Sequence, residues 1–137
     1  MSLIKTITTL IIFCLFITTL AYAQTVEDYF NSGKAKNELK DYMGAIQDYS
    51  KAIEINPNYA FAYNNRGNAK HRLQDYREAI QDYTKAIELN PNFGKAYLGR
   101  GTAKILLGQK DSGCLDFSKA GELGYAEAYE AIKENCN

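Results

Sequence analysis

The chain of 137 residues has no tryptophan, a single histidine, two prolines and three cysteines, and its 16 basic residues are balanced by 16 acidic ones. Each shortage narrows what the protein can do. Without a basic excess there is no electrostatic drive toward nucleic acid, whose phosphates must be neutralised to bind. No polybasic run is present to hold the chain on an anionic membrane. A metal site needs clustered ligands, and His71 with two distant cysteines makes no cluster; His71 is expected on an exposed helix face. The sequence has no glycine-rich phosphate loop, no nucleophile elbow and no His-Glu-x-x-His motif. No catalytic residue and no cofactor are therefore assigned, and the expectation is a protein that is not an enzyme.

What is present begins with a targeting-type segment. Lys5 precedes an apolar run from Ile7 to Leu20, followed by Ala21-Tyr22-Ala23, the small-x-small pattern of a signal peptidase site. The run is shorter than the roughly 20 apolar residues that span a bilayer, and threonines interrupt it. Residues 1–23 are read as a signal peptide and 24–137 as the mature domain, periplasmic or extracellular, with no membrane span after cleavage. Cys14 lies inside the apolar run, which does not fit a lipoprotein signal. The mature chain keeps Cys114 and Cys136, and an oxidising compartment favours joining them.

The body of the chain repeats itself. Asp41-Tyr42-Met43-Gly44-Ala45-Ile46-Gln47-Asp48-Tyr49 returns as Asp75-Tyr76-Arg77-Glu78-Ala79-Ile80-Gln81-Asp82-Tyr83, and Lys51 to Asn58 returns as Lys85 to Asn92, always 34 residues on. Between 26–59 and 60–93 about 20 of the 34 places are identical, and a period of that length marks helical arrays. A worn third copy covers 94–127 and keeps Tyr97, Gly101, Ala103, Lys104, Asp116, Phe117, Lys119 and Ala120. Within each unit, apolar and small residues recur at helical spacing. Thr25 with Asp28 and Asp75 with Glu78 look like capping pairs that start helices. The Asn-Pro steps at 56-57 and 90-91 end the second helix, because proline disfavours helix at the preceding residue.

Small residues predict how the helices meet. Gly33, Gly67 and Gly101 fall inside first helices, where glycine costs about 1 kcal/mol against alanine. Close approach of the second helix at Ala45 and Ala79 compensates, with Tyr49, Tyr83 and Phe117 filling the space beside them. One helix pair cannot bury both apolar faces, so neighbouring units must stack.

Tyr63, Gly67, Ala79, Tyr83, Ala86 and Pro91, with Tyr29, Gly33, Ala45, Tyr49, Ala52 and Pro57 one unit earlier, resemble the tetratricopeptide repeat pattern of aromatic, Gly, Ala, aromatic, Ala and Pro. The third unit departs at Gly113 and Tyr125. Lys36, Lys70 and Lys104 stand where the family often has tyrosine. The resemblance covers nearly all of the mature chain. It implies an all-α, right-handed superhelix of antiparallel helix pairs, about seven helices in all.

After Gly124 the chain reads as one more helix, about 125–136, which caps the array so that its last face is not bare. Cys114 takes the place of Ile46 and Ile80, which should face the following helix. It and Cys136 both lie roughly 15–18 Å from the Gly124 turn along antiparallel helices. They can meet in a structural disulfide worth about 3 kcal/mol in the chain-entropy model.

In this family the first helices line a concave groove, so the resemblance implies that the groove holds the ligand. Helical spacing places Phe30, Lys34, Phe61, Asn64, Asn65, Asn68, Arg72, Lys95, Leu98 and Thr102 there, with Asn31, Glu38 and Leu106 as further candidates. Asparagine amides donate and accept, which suits an extended peptide backbone. Some family members grip the C-terminal carboxylate of cytosolic chaperones with a lysine-asparagine clamp. Asn65 and Lys95 match two of its five places, but Phe30, Lys34 and Gly99 do not. Asp48, Glu54, Asp82 and Glu88 are expected on solvated helix faces, with Lys51 and Lys85 as ion-pair partners. Most of the 11 tyrosines fall at repeat-locked core places.

The function these features favour is a non-catalytic protein-interaction module, an adaptor or assembly scaffold that binds a partner peptide as a monomer. An exported glycan or envelope-polymer binder and a self-associating structural element are the alternatives. Intact-mass measurement of exported protein should find a chain starting at Gln24 and lighter by one disulfide until reductant is added. Two free thiols, or a retained leader, would contradict this assignment.

Overall fold

A computed structural model describes residues 1–136, without the side chains of Ser2 and residues 20–24. Its helices are α1 (Ser2–Glu38), α2 (Tyr42–Ile55), α3 (Ala60–Arg72), α4 (Tyr76–Leu89), α5 (Gly94–Leu106), α6 (Lys110–Glu122) and α7 (Glu127–Asn135). The turns between them are written in the sequence. Asn56 and Asn90 leave the helix in extended conformation just before the two prolines. Each first helix ends on a residue in the left-handed region, at Lys40 (φ 62°), Gln74 (φ 65°) and Gly108 (φ 76°). The next N–H reaches back to close the turn, as from Asp41 to the Lys36 carbonyl at 2.9 Å, the arrangement of a helix C-cap that satisfies otherwise orphaned carbonyls.

The pairs α1–α2, α3–α4 and α5–α6 pack as antiparallel hairpins, successive hairpins touch through α2–α3 and α4–α5, and α7 closes the end against α6. First helices also touch one another, α1 with α3 and α3 with α5. The result is the right-handed superhelix of helix pairs expected from the resemblance.

The core explains the glycines. A methyl group at Gly101 would lie 2.7 Å from the Phe117 ring and 3.0 Å from the Gly113 carbonyl. At Gly33 it would lie 2.7 Å from the Tyr49 ring. Tyr49, Tyr83 and Phe117 are the largest fully buried side chains, surrounded by Ala45, Ala52, Ala79, Ala86, Ala103 and Ala120 with no exposed surface. The departure at Gly113 has its own cause. A side chain there would meet Ile105 at 2.9 Å, and Ile105 stands where the earlier units have Asn37 and His71.

Two expectations change. The Thr25–Asp28 pair starts no helix, because α1 runs through it without a break. Asp75 does precede the first residue of α4, but makes no side-chain cap; in the preceding unit Asp41 does, accepting from Gly44 N–H at 2.9 Å. Asp48 and Asp82 are not on solvated faces. They are 6% and 4% exposed, as is Asp116 at 5%, and each is held by cations of the preceding helix. Lys36 pairs with Asp48 at 2.7 Å, Lys70 with Asp82 at 2.8 Å and Lys104 with Asp116 at 2.8 Å. These are the three lysines that replace the family's tyrosine. Arg66 and Arg100 add two-pronged contacts to Asp82 and Asp116. Glu54 and Glu88 do face solvent, and Lys85 pairs with Glu88 at 3.3 Å.

At the C-terminus Cys114 and Cys136 are joined across α6 and α7, with Cα atoms 5.9 Å apart. Tyr129 lies over Gly121 and donates to its carbonyl at 3.2 Å. At the other end, Leu3 to Ile17 present large apolar side chains to solvent, Phe13 and Phe16 among them. The cleavage pattern Ala21-Tyr22-Ala23 and Gln24 lie outside the side chains described. Among the described residues, no helix is long and apolar enough to cross a membrane.

Gly101→Ala should lower the unfolding free energy in urea by up to about 2 kcal/mol. Overpacking costs about 1–3 kcal/mol, more than the roughly 1 kcal/mol gained in helix propensity. A more stable variant would contradict the close approach.

Candidate functional site

The faces of α1, α3 and α5 that turn away from the second helices line a concave groove ending against α7. Its main cavity, about 520 Å³, is lined by Asn37, Asn68, His71, Arg72, Tyr83, Lys95, Leu98, Gly99, Thr102, Tyr125 and Glu127. A smaller one of about 130 Å³ adjoins it, lined by Lys34, Asn37, Glu38, Tyr49, Asn65 and Asn68. Asn37 and Asn68 belong to both, so the two form one channel along the first helices.

Of the groove residues expected from the sequence, Lys34, Asn65, Asn68, Arg72, Lys95, Leu98 and Thr102 are on these walls. Three are placed elsewhere. Phe30 is 9% exposed and packs against Tyr49 and Tyr59, with ring centroids 5.8 and 4.9 Å away. Helical spacing assigned it to the groove, but the turn carrying Tyr59 covers it. Asn64 is 4% exposed and donates to Asn65 at 3.2 Å. Phe61 is 54% exposed yet lines neither cavity; it meets Phe93 edge-on at 5.1 Å.

The groove floor is continuous with the core. Tyr83 passes between Gly67 and Gly99 and donates its phenolic proton to Asn68 Oδ1 at 2.8 Å. A methyl at Gly99 would lie 2.6 Å from the Tyr83 ring, so the clamp's arginine place is filled from beneath by Tyr83. Burial pushes the Tyr49 phenol up to about 12 and that of Tyr83 further, so both are neutral donors. Around this floor stand Lys34, Arg72 and Lys95, with Glu38 and Glu127 as the opposing charges.

Sequence reasoning missed Asn37, His71, Tyr125 and Glu127. His71 is half-buried, stacked edge-on against Tyr76 with centroids 5.1 Å apart, and not on an open helix face. Burial, then the charge on Arg72, hold its imidazole below the usual 6.5. The 34-residue offset from Asn37 to His71 was the available signal: both are polar at one repeat-locked place. Asn37 Oδ1, Asn64 Oδ1 and His71 Nε2 are buried without a hydrogen-bond partner among the described residues. An unsatisfied buried polar atom costs about 1–3 kcal/mol, so each one calls for a reason.

The helix pairs thus stack in a superhelical array that leaves a polar concave channel along the first helices. The chain belongs to the tetratricopeptide repeat family. The model described as tetratricopeptide repeat matches residues 60–93, and the one described as TPR repeat matches 33–74. Among solved structures, the Arabidopsis OM64 TPR domain is 32% identical, over 82% of this chain and 95% of that one, with a TM-score of 0.81. The TPR2B domain of yeast Sti1 in a pHsp70 complex is 32% identical, over 73% and 80%, with a TM-score of 0.72. The second TPR domain of human RPAP3, in complex with the HSP70 peptide SGPTIEEVD, is 28% identical, over 85% and 97%, with a TM-score of 0.77. No curated protein matches the chain.

The state of His71 is testable. Because its folded value is depressed, the unfolded chain takes up the proton first as pH falls. The stability that neutral His71 contributes is present above 6.5 and is lost as pH drops through the folded value. His71→Phe should flatten the fall in urea-unfolding stability between about pH 7 and 5. An unchanged slope would contradict the buried, neutral assignment.

Proposed function

We propose that the protein is an adaptor that holds an extended segment of a protein partner in the concave channel, and that it does so after export and removal of residues 1–23. The observation that carries this reading is the convergence of Asn65, Asn68, Arg72, Lys95, Leu98 and Thr102, from two successive first helices, on one channel. Membership of a family whose solved neighbours include peptide complexes supports it, and the Cys114–Cys136 bridge suits an oxidising compartment.

The chaperone carboxylate clamp is not the mode favoured here. Phe30, at one clamp place, is packed into the core, and Gly99, at another, leaves its space to Tyr83. Arg72 and Lys95 lie along the channel instead, with Glu127 at its closed end, so an acidic side chain of the partner is expected beside the two cations.

A random-peptide display library panned on the wild-type domain supplies a ligand. Arg72→Ala and Lys95→Ala should each weaken the selected peptide by about tenfold, the effect of losing one charged contact. Leu115→Ala, on an exposed site of α6, should leave it unchanged. The opposite pattern would place binding on the convex face and remove the groove reading.

A further inference from the structure

We infer that Asn37 and His71 form a repeated subsite that accepts main-chain N–H groups from the bound segment, which makes recognition partly independent of the partner's side chains. This deepens the peptide-groove reading and rests on it.

Three observations converge. Asn37 Oδ1 and His71 Nε2 are both buried and, among the described residues, both lack a hydrogen-bond partner. Both side chains line the same cavity. They occupy one place in successive units, exactly one 34-residue period apart by number. The third orphan, Asn64 Oδ1, does not share the cavity.

The third unit shows what the fold alone asks for at this place. There the residue is Ile105, which packs on Gly113. Apolar packing therefore serves the hairpin, and the two polar residues leave atoms unpaired that an apolar side chain would not. Burial also keeps His71 uncharged, so its ring retains a lone pair to accept a proton. Because both atoms are buried, each side chain must turn to present its atom to the segment.

The spacing suits a polypeptide. Helices α1 and α3 are in contact, which sets their axes about 8–10 Å apart. A polyproline-II chain rises about 3.1 Å per residue and returns to the same facing every three residues, so the two acceptors meet N–H groups three residues apart on one side of it. Asn68, which lines the same cavity, is oriented by the Tyr83 hydroxyl, which leaves its amide protons for a partner carbonyl.

The test uses the peptide selected by panning, synthesised with blocked ends, and a set of analogues each methylated at one main-chain nitrogen. Two analogues, about three residues apart, should bind at least tenfold more weakly than the parent, a loss of about one hydrogen bond each. The protein variants Asn37→Leu and His71→Phe should also bind the parent at least tenfold more weakly while unfolding at a higher temperature, since each removes an unpaired buried atom. His71→Asn, which copies Asn37, should keep binding. A merely structural role for the pair would instead lower the unfolding temperature and leave affinity intact. Affinity unchanged by every N-methylation, or by both apolar variants, overturns the inference while the groove reading stands through Arg72 and Lys95. If panning yields no peptide that the groove variants weaken, both fail together. His71 is the only histidine, so long-range nitrogen spectra read its ring without overlap; a proton fixed on Nε2 in the complex would also overturn it.

Discussion

The contact on which this structure depends is that between a glycine of each first helix and an aromatic ring of the second: Gly33 with Tyr49, Gly67 with Tyr83, Gly101 with Phe117. It sets how closely the helices of a hairpin approach. It also decides what reaches the concave side. Because Gly67 and Gly99 leave room, the Tyr83 ring extends through the first-helix layer and its hydroxyl fixes Asn68 in the channel floor. In the third unit the ring is Phe117, which has no hydroxyl to offer. Core packing and groove chemistry are thus two ends of the same side chain.

A second constraint also runs through the hairpins. The buried carboxylates Asp48, Asp82 and Asp116 receive cations from the preceding helix, and for Asp48 burial alone would raise the affinity for protons. For Asp48 that pull is overcome by hydrogen bonds from Lys36 and Ser32, which hold it below the usual carboxylate value. Arg66 reaches both Asp82 and Ser50, and Arg100 both Asp116 and Thr84. Each guanidinium therefore joins its own hairpin to the one before it. Two-pronged arginine–carboxylate contacts are directional, so they fix the register in which units stack, a job that alanine-rich faces leave loosely specified.

The architecture was legible because it is periodic. The 34-residue offset, the Asn-Pro stops and the glycine–aromatic pairs each recur, and a repeated local signal does not depend on knowing the tertiary structure. The cap and its disulfide were legible for a related reason: Cys114 stands in a slot whose direction the earlier units define. What escaped sequence reasoning depends on partners distant in the chain. Asp82 is paired with a residue 16 places earlier, too far for a helical-face argument, so it looked solvated. Phe30 has the spacing of a groove residue, but Tyr59 from the following turn covers it. His71 is expected on an exposed face because polarity suggests solvent, whereas Tyr76 stacks against it.

The molecule's two sides are unequal: α1, α3, α5 and the start of α7 line the channel, and α2, α4 and α6 pack behind them. Backbone amide shifts recorded while a panned peptide is titrated into the isotope-labelled protein compare the two sides in one experiment. Changes concentrated on residues 34–38, 65–72, 95–102 and 125–127 are the expected result. Changes concentrated on the outer surfaces of α2, α4 and α6, with the channel silent, would contradict the claim that this protein holds its partner in the concave groove.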